Sequence, residues 1–62
     1  MKLINKFTGY AINVGDVVKL KNGRQAELTA INTEYNVISV EGLDGSFKIE
    51  NSLPSIIDAE FK

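Results

Sequence analysis

Residues 15–28 constrain the fold most. Turn formers stand at Gly15-Asp16 and Asn22-Gly23, and side chains alternate with period two on both sides of the second pair, the pattern of two antiparallel strands joined by a tight reversal. In residues 16–20, Val18 and Leu20 share one face while Val17 and Lys19 share the other. In residues 24–31, Ala26, Leu28 and Ala30 alternate with Gln25, Glu27 and Thr29. A two-residue loop at Asn22-Gly23 pairs Leu20 with Gln25 and sets an apolar face against a polar one. A three-residue loop Lys21-Asn22-Gly23 pairs Leu20 with Arg24, Val18 with Ala26 and Val17 with Glu27, so the faces agree. Gly23 then takes the left-handed conformation that ends such a loop.

The second reversal obeys a different count. Strand 37–42 turns Ile38 and Val40 inward, strand 46–50 turns Phe47 and Ile49 inward, and a two-residue Asp44-Gly45 turn pairs Val40 with Ile49 and Glu41 with Lys48. That register sets Phe47 across from Gly42, where its ring covers a glycine that otherwise weakens the strand. Thr33-Glu34-Tyr35 forms the tip between the hairpins and brings Ala30 opposite Ile38. Upstream, Tyr10, Ile12 and Val14 alternate, and Leu3 or Ile4 with Phe7 gives an edge strand. Downstream, Pro54 opens a single helical or 3₁₀ turn, followed by a short strand at Ala59-Glu60-Phe61. The expected fold is all-β: a single domain over residues 1–62, a small partly open barrel of four to five antiparallel strands with one short 3₁₀ or helical turn near the C-terminus.

The chain has 62 residues, and a chain of this size buries only about 60% of its unfolded surface. No deep active site fits. It contains no Cys and no His, so disulfides and the usual zinc sites are excluded, and no cofactor is expected. A hard-cation site from Glu50, Asp58 and Glu60 lacks a dedicated loop. The glycines follow neither a Gly-x-Gly-x-x-Gly nor a P-loop spacing. Glu27, Glu41, Glu50 and Asp44 fall on outward strand positions or turn tips, where a carboxyl stays an ordinary acid. The chain therefore reads as non-enzymatic. Its N-terminus lacks a secretory pattern, and no apolar run approaches the roughly 18 residues of a membrane span, so a cytoplasmic protein without a membrane partner is expected.

Two surfaces suggest binding. Charge is asymmetric along the chain: Lys2, Lys6, Lys19, Lys21 and Arg24 against Asp16 leave +4 over residues 1–24, and Lys48 and Lys62 against seven acids leave −5 over the remainder. Lys19, Lys21 and Arg24 fall at the first hairpin, and Tyr10 and Tyr35 offer rings, the ingredients of a small barrel that binds single-stranded nucleic acid. Against this stands a pI near 5.2, low for a nucleic-acid binder. Tyr10 packs equally well at a strand edge, and Tyr35 on its own hairpin. Val17, Ile31 and Val37 read as outward on neighbouring strands, an apolar component suited to a protein partner or to self-association. Protein binding is the leading expectation, and nucleic acid the alternative.

The hairpin over residues 15–28 looks like the first hairpin of SH3-like small barrels of the KOW, Tudor and Sm-like kind, in which a Gly-Asp turn opens a strand and a Gly follows its end. The stretch Leu53-Pro54-Ser55-Ile56-Ile57-Asp58-Ala59-Glu60-Phe61 is similar to a Pro-Ser-aliphatic-aliphatic-Gly-Ala-Glu-aromatic ending of short phage and prophage proteins, with Asp58 where Gly is usual. Together the two pieces cover about half the chain, and they imply a binding module without specifying its ligand. The plasmid-encoded, trimethoprim-resistant dihydrofolate reductase resembles this chain only in length and in a Pro-bearing C-terminal turn. Where that family's pore strand carries Gln-Ile-Tyr, this chain reads Ser46-Phe47-Lys48-Ile49-Glu50, which argues against a reductase.

Overall fold

A computed structural model describes residues 1–62. Six strands follow in order: β1 (Leu3–Asn5), β2 (Val17–Lys19), β3 (Gln25–Asn32), β4 (Val37–Gly42), β5 (Lys48–Ser52) and β6 (Ala59–Phe61), with a 3₁₀ turn at Pro54–Ile57 before β6. Strands β2-β3-β4-β5 form an antiparallel meander, and β1 pairs antiparallel with β6 in a second sheet. The barrel does not close, so β2 and β5 are the edges of the larger sheet. No helix is long and apolar enough to cross a membrane.

The smaller sheet uses both ends of the chain. Leu3 faces Phe61 and Asn5 faces Ala59, and Lys2 and Lys62 exchange backbone hydrogen bonds of 2.6 and 2.8 Å. On its other side β1 meets residues 10–12 through an Ile4–Ala11 bridge. The alternation of Tyr10, Ile12 and Val14 thus yields a bridge rather than a full strand, and of the three only Ile12 is buried.

The core joins the two sheets. Leu3, Ile12, Leu20, Ala26, Leu28, Ile38, Val40, Ile57 and Ala59 form one buried cluster. Leu28, Ile38 and Val40 are its largest fully enclosed side chains, each stabilising the fold by about 1.5–3 kcal/mol through removal from water. No buried side-chain polar atom lacks a partner.

The first hairpin has the three-residue loop and the register read from its faces. Val17 pairs with Glu27 and Val18 with Ala26, Leu20 N–H donates to the Arg24 carbonyl at 2.8 Å, and Gly23 has φ +90. At the second hairpin the register also agrees, with Val40 opposite Ile49 and Glu41 opposite Lys48. Its loop does not. Gly45 N–H donates to the Gly42 carbonyl, so the reversal spans Leu43–Ser46, with Gly45 rather than Asp44 at positive φ. A two-residue primed turn would need Asp44 itself in that region. Asp44 instead accepts the Ser46 N–H at 2.9 Å, a local bond that favours the longer loop.

The β3–β4 pairing departs further from the simple alternation. Leu28 faces Val40, yet Ala30 faces Ser39 and Ile31 faces Ile38, so Thr29 is an extra residue. A bulge of this kind moves everything beyond it to the opposite face. Ile31, expected outward, therefore shares the inward face of Ile38 and packs against the core. Ser39 is flanked by a second irregularity, since Val40 faces Ile49 and Ile38 faces Ser52, leaving Glu50 and Asn51 against the single residue Ser39. Asn51 takes φ +53 there, and its N–H donates to Ser39 Oγ at 3.2 Å.

Candidate binding surfaces

The most developed concavity lies along the open seam beside β2. It is a groove of about 790 Å³, and Phe7, Ile12, Val17, Lys19, Lys21 and Ile57 are among the residues that line it. Phe7 reaches it because Asn5 Oδ1 accepts the N–H groups of Phe7 and Thr8 at 2.8 and 3.1 Å, a tight turn that Gly9 completes at φ +77. The ring of Phe7 remains 81% exposed and Val17 57% exposed. Phe7 thus lies in a turn beyond β1, which ends at Asn5, and not in the expected edge strand. The signal for its true position was the turn chemistry of Asn5, Thr8 and Gly9 around it.

The backbone of β2 faces this groove. Leu28 N–H donates to the Asp16 carbonyl and Leu20 N–H to that of Arg24, so residues 16, 18 and 20 direct their backbone groups toward β3. By the alternation of an antiparallel ladder, Val17 and Lys19 direct theirs away from it, into the seam. The seam closes just beyond, where Lys21 N–H donates to the Ile56 carbonyl at 3.2 Å.

The three cations of the first hairpin point to different neighbours. Lys21 Nζ lies 3.8 Å from Asp58 Oδ1. Arg24 stands over the Phe47 ring, 5.4 Å from its centroid, in attractive range of a cation and a ring face. Lys19 lies exposed opposite Gln25 and forms no salt bridge. Tyr10 and Tyr35 are 76% and 71% exposed. Neither ring borders the groove, and Tyr35 sits at the β3–β4 tip, its N–H bonded to Asn32 Oδ1.

The apolar trio is likewise divided. Val17 borders the seam groove, whereas Ile31 and Val37 border a separate shallow depression near Ser39 and Asn51. Val37 is half-buried opposite Asn32.

The carboxylates of the sheet's outer face form a row. Val17, Glu27, Glu41 and Lys48 lie directly across from one another on β2, β3, β4 and β5. Glu27 and Glu41 are thus a like-charged cross-strand pair, and Lys48 ion-pairs along its own strand with Glu50 at 3.6 Å rather than with Glu41. No group of three or more carboxylates is gathered closely enough to hold a metal. Asp44 is held below the ordinary aspartate range, first by the Ser46 hydroxyl and then by the Ser46 N–H, with a smaller contribution from the charge of Arg24. This is turn chemistry at a fully exposed carboxyl.

No protein-family model, curated protein or solved structure matches the chain. The arrangement offers a free strand edge, a bordering groove with two exposed apolar side chains, and one uncommitted lysine.

Proposed function

We propose that this protein is a non-enzymatic binding module of the SH3-like small-barrel type, and that its partner is a protein. The meander followed by a 3₁₀ turn and a returning last strand supports the SH3-like reading. The observation that carries protein binding is the seam, where outward-directed backbone groups of Val17 and Lys19 adjoin a groove bordered by exposed Phe7 and Val17. Such an edge recognises extended chain through its hydrogen-bonding groups and gains specificity from alternate side chains. A cytoplasmic setting accords with this reading. If the phage-like ending is a guide, the partner is a host regulator, a defence system or a virion component.

Nucleic acid is the competing ligand, and the same experiment separates the two. A photo-crosslinking side chain at position 7 or 17 should give a discrete protein adduct in host lysate, and the same group at position 50, on the other edge strand, should not. Equal labelling from all three positions would remove the basis for a protein site in the seam. Salt-sensitive amide shifts on adding single-stranded oligonucleotides, centred on Lys19, Lys21 and Arg24, would favour nucleic acid instead.

A further inference from the structure

We infer that Asn22 is a self-modifying residue: in the folded chain its side-chain amide is lost through a cyclic imide with Gly23, leaving aspartate or isoaspartate at the tip of the first hairpin. This holds whatever the partner is. The asparagines of the chain are followed by Lys6, Val14, Gly23, Thr33, Val37 and Ser52. Ring closure brings the next backbone nitrogen onto the asparagine Cγ, and a side chain on that next residue crowds the approach. Glycine has none, and only Asn22 precedes a glycine.

The hairpin tip adds to this advantage. Residues 21–25 are all exposed, and a Cβ at Gly23 would meet nothing within 4 Å, so hydroxide reaches the Gly23 amide unobstructed. Asn22 Oδ1 accepts the Arg24 N–H at 2.9 Å, which polarises the Cγ carbonyl and is placed to stabilise charge that forms on that oxygen. One bond opposes the reaction, from Gly23 N–H to the Leu20 carbonyl at 2.9 Å. Releasing it takes a local opening of the tip rather than unfolding. Asn5 and Asn32 accept backbone N–H groups in the same way, but Lys6 and Thr33 follow them, so they separate the effect of the turn from that of the glycine.

The chemistry balances with water as the only co-reactant. Hydroxide removes the Gly23 amide proton, and the nitrogen's electron pair bonds to Asn22 Cγ as the carbonyl pair moves onto Oδ1. That pair returns, the Cγ–Nδ2 bond breaks, and Nδ2 leaves as ammonia with a proton from water, which regenerates hydroxide. Water then opens the imide: cleavage of the new N–Cγ bond gives aspartate, and cleavage of the original Asn22–Gly23 peptide bond gives isoaspartate. Asp44-Gly45 resists the same route, since a carboxylate is a poor electrophile and the Ser46 hydroxyl and N–H hold Asp44 ionised.

The two products differ in consequence. Aspartate keeps an oxygen for the Arg24 N–H and puts a negative charge between Lys21 and Arg24. Isoaspartate adds a main-chain methylene to a loop whose length sets the Val17–Glu27 and Val18–Ala26 register, next to Gly23 on the seam groove.

The test is incubation of the intact chain in mildly alkaline buffer, native and urea-unfolded, read by mass and by peptide mapping with isoaspartyl methylation. The mass gain of amide-to-acid exchange should fall on Asn22 and rise in proportion to hydroxide. It should run about tenfold or more faster than at Asn5 or Asn32, and within about a hundredfold of the unfolded rate, the range that opening of a hairpin tip allows. The isoaspartate fraction should exchange its Leu20 amide faster than the parent, because Leu20 N–H closes the loop onto Arg24. A native rate below that range, equal conversion at Asn5 or Asn32, or a gain that persists in Asn22→Gln would each overturn self-modification. An isoaspartate fraction whose Leu20 amide exchanges like the parent's would overturn the effect on the hairpin.

Discussion

The Phe47 ring lies so close over Gly42 that a Cβ at position 42 would stand 2.6 Å from its Cε1 and 2.8 Å from its Cδ1. The glycine is kept by the ring, because its φ is not in the left-handed region. Gly42→Ala should destabilise the fold by roughly 1–3 kcal/mol, the usual range for an overpacked site, as measured by urea denaturation. Phe47→Leu in the same chain should restore part of that loss. An alanine variant as stable as the parent would show that the ring moves aside freely.

This relationship was legible in the sequence because it follows from register alone, as does the first hairpin, where only one loop length lets Val18 and Leu20 face the same side as Ala26 and Leu28. The short C-terminal strand and the turn before it were legible from Pro54 and its neighbours. Other features were not. Asp44-Gly45 reads as a two-residue turn until the Asp44 carboxylate is seen to accept the Ser46 N–H. The face of Ile31 depends on an extra residue at Thr29, and nothing in a period-two pattern marks where a bulge falls. Lys19, Lys21 and Arg24 fall at one hairpin in the sequence, but only the fold shows Lys21 turned to Asp58 and Arg24 to Phe47.

Asp58 ends the 3₁₀ turn with φ +53, its N–H bonded to carbonyls of that turn. A side chain is disfavoured in this region and glycine is not. Asp58→Gly relieves a left-handed penalty of roughly 1–2 kcal/mol against a glycine entropy cost of roughly 0.5–1 kcal/mol, so it should stabilise the protein slightly, despite loss of the exposed Lys21 contact, which contributes little. Thermal unfolding gives the answer, and a lower midpoint for the glycine variant would assign Asp58 a larger role through Lys21 than its geometry supports.

The depressed Asp44 carboxyl sets a direction for pH dependence. Its folded-state pKa lies below the unfolded value, so its contribution is fully present above about pH 4, the unfolded aspartate range, and is lost as pH falls through the folded value. The Ser46 hydroxyl is the largest cause. In a carboxyl-carbon titration, Ser46→Ala should move Asp44 upward toward the ordinary value, whereas Arg24→Ala should move it less. The reverse order would make the arginine charge the main cause.

Val17 and Ile31 look alike in sequence, yet the bulge at Thr29 separates their roles. Ile31 packs against the core beside Ile38, and Val17 stands 57% exposed at the seam. Ile31→Ala should cost about 2–3 kcal/mol, toward the lower end for an isoleucine truncation because the side chain is only half-buried. Val17→Ala should stay within about 0.5 kcal/mol, as exposed sites do. Partner binding at the seam should respond in the opposite sense: Val17→Asp should weaken it with the fold intact, while a folded Ile31→Val chain should give the same crosslinked adduct as the parent. Denaturation curves and crosslinking yields of the same variants read both quantities. Equal stability losses at the two positions would mean that the N-terminal arm covers Val17 in solution, which would remove it from the docking surface.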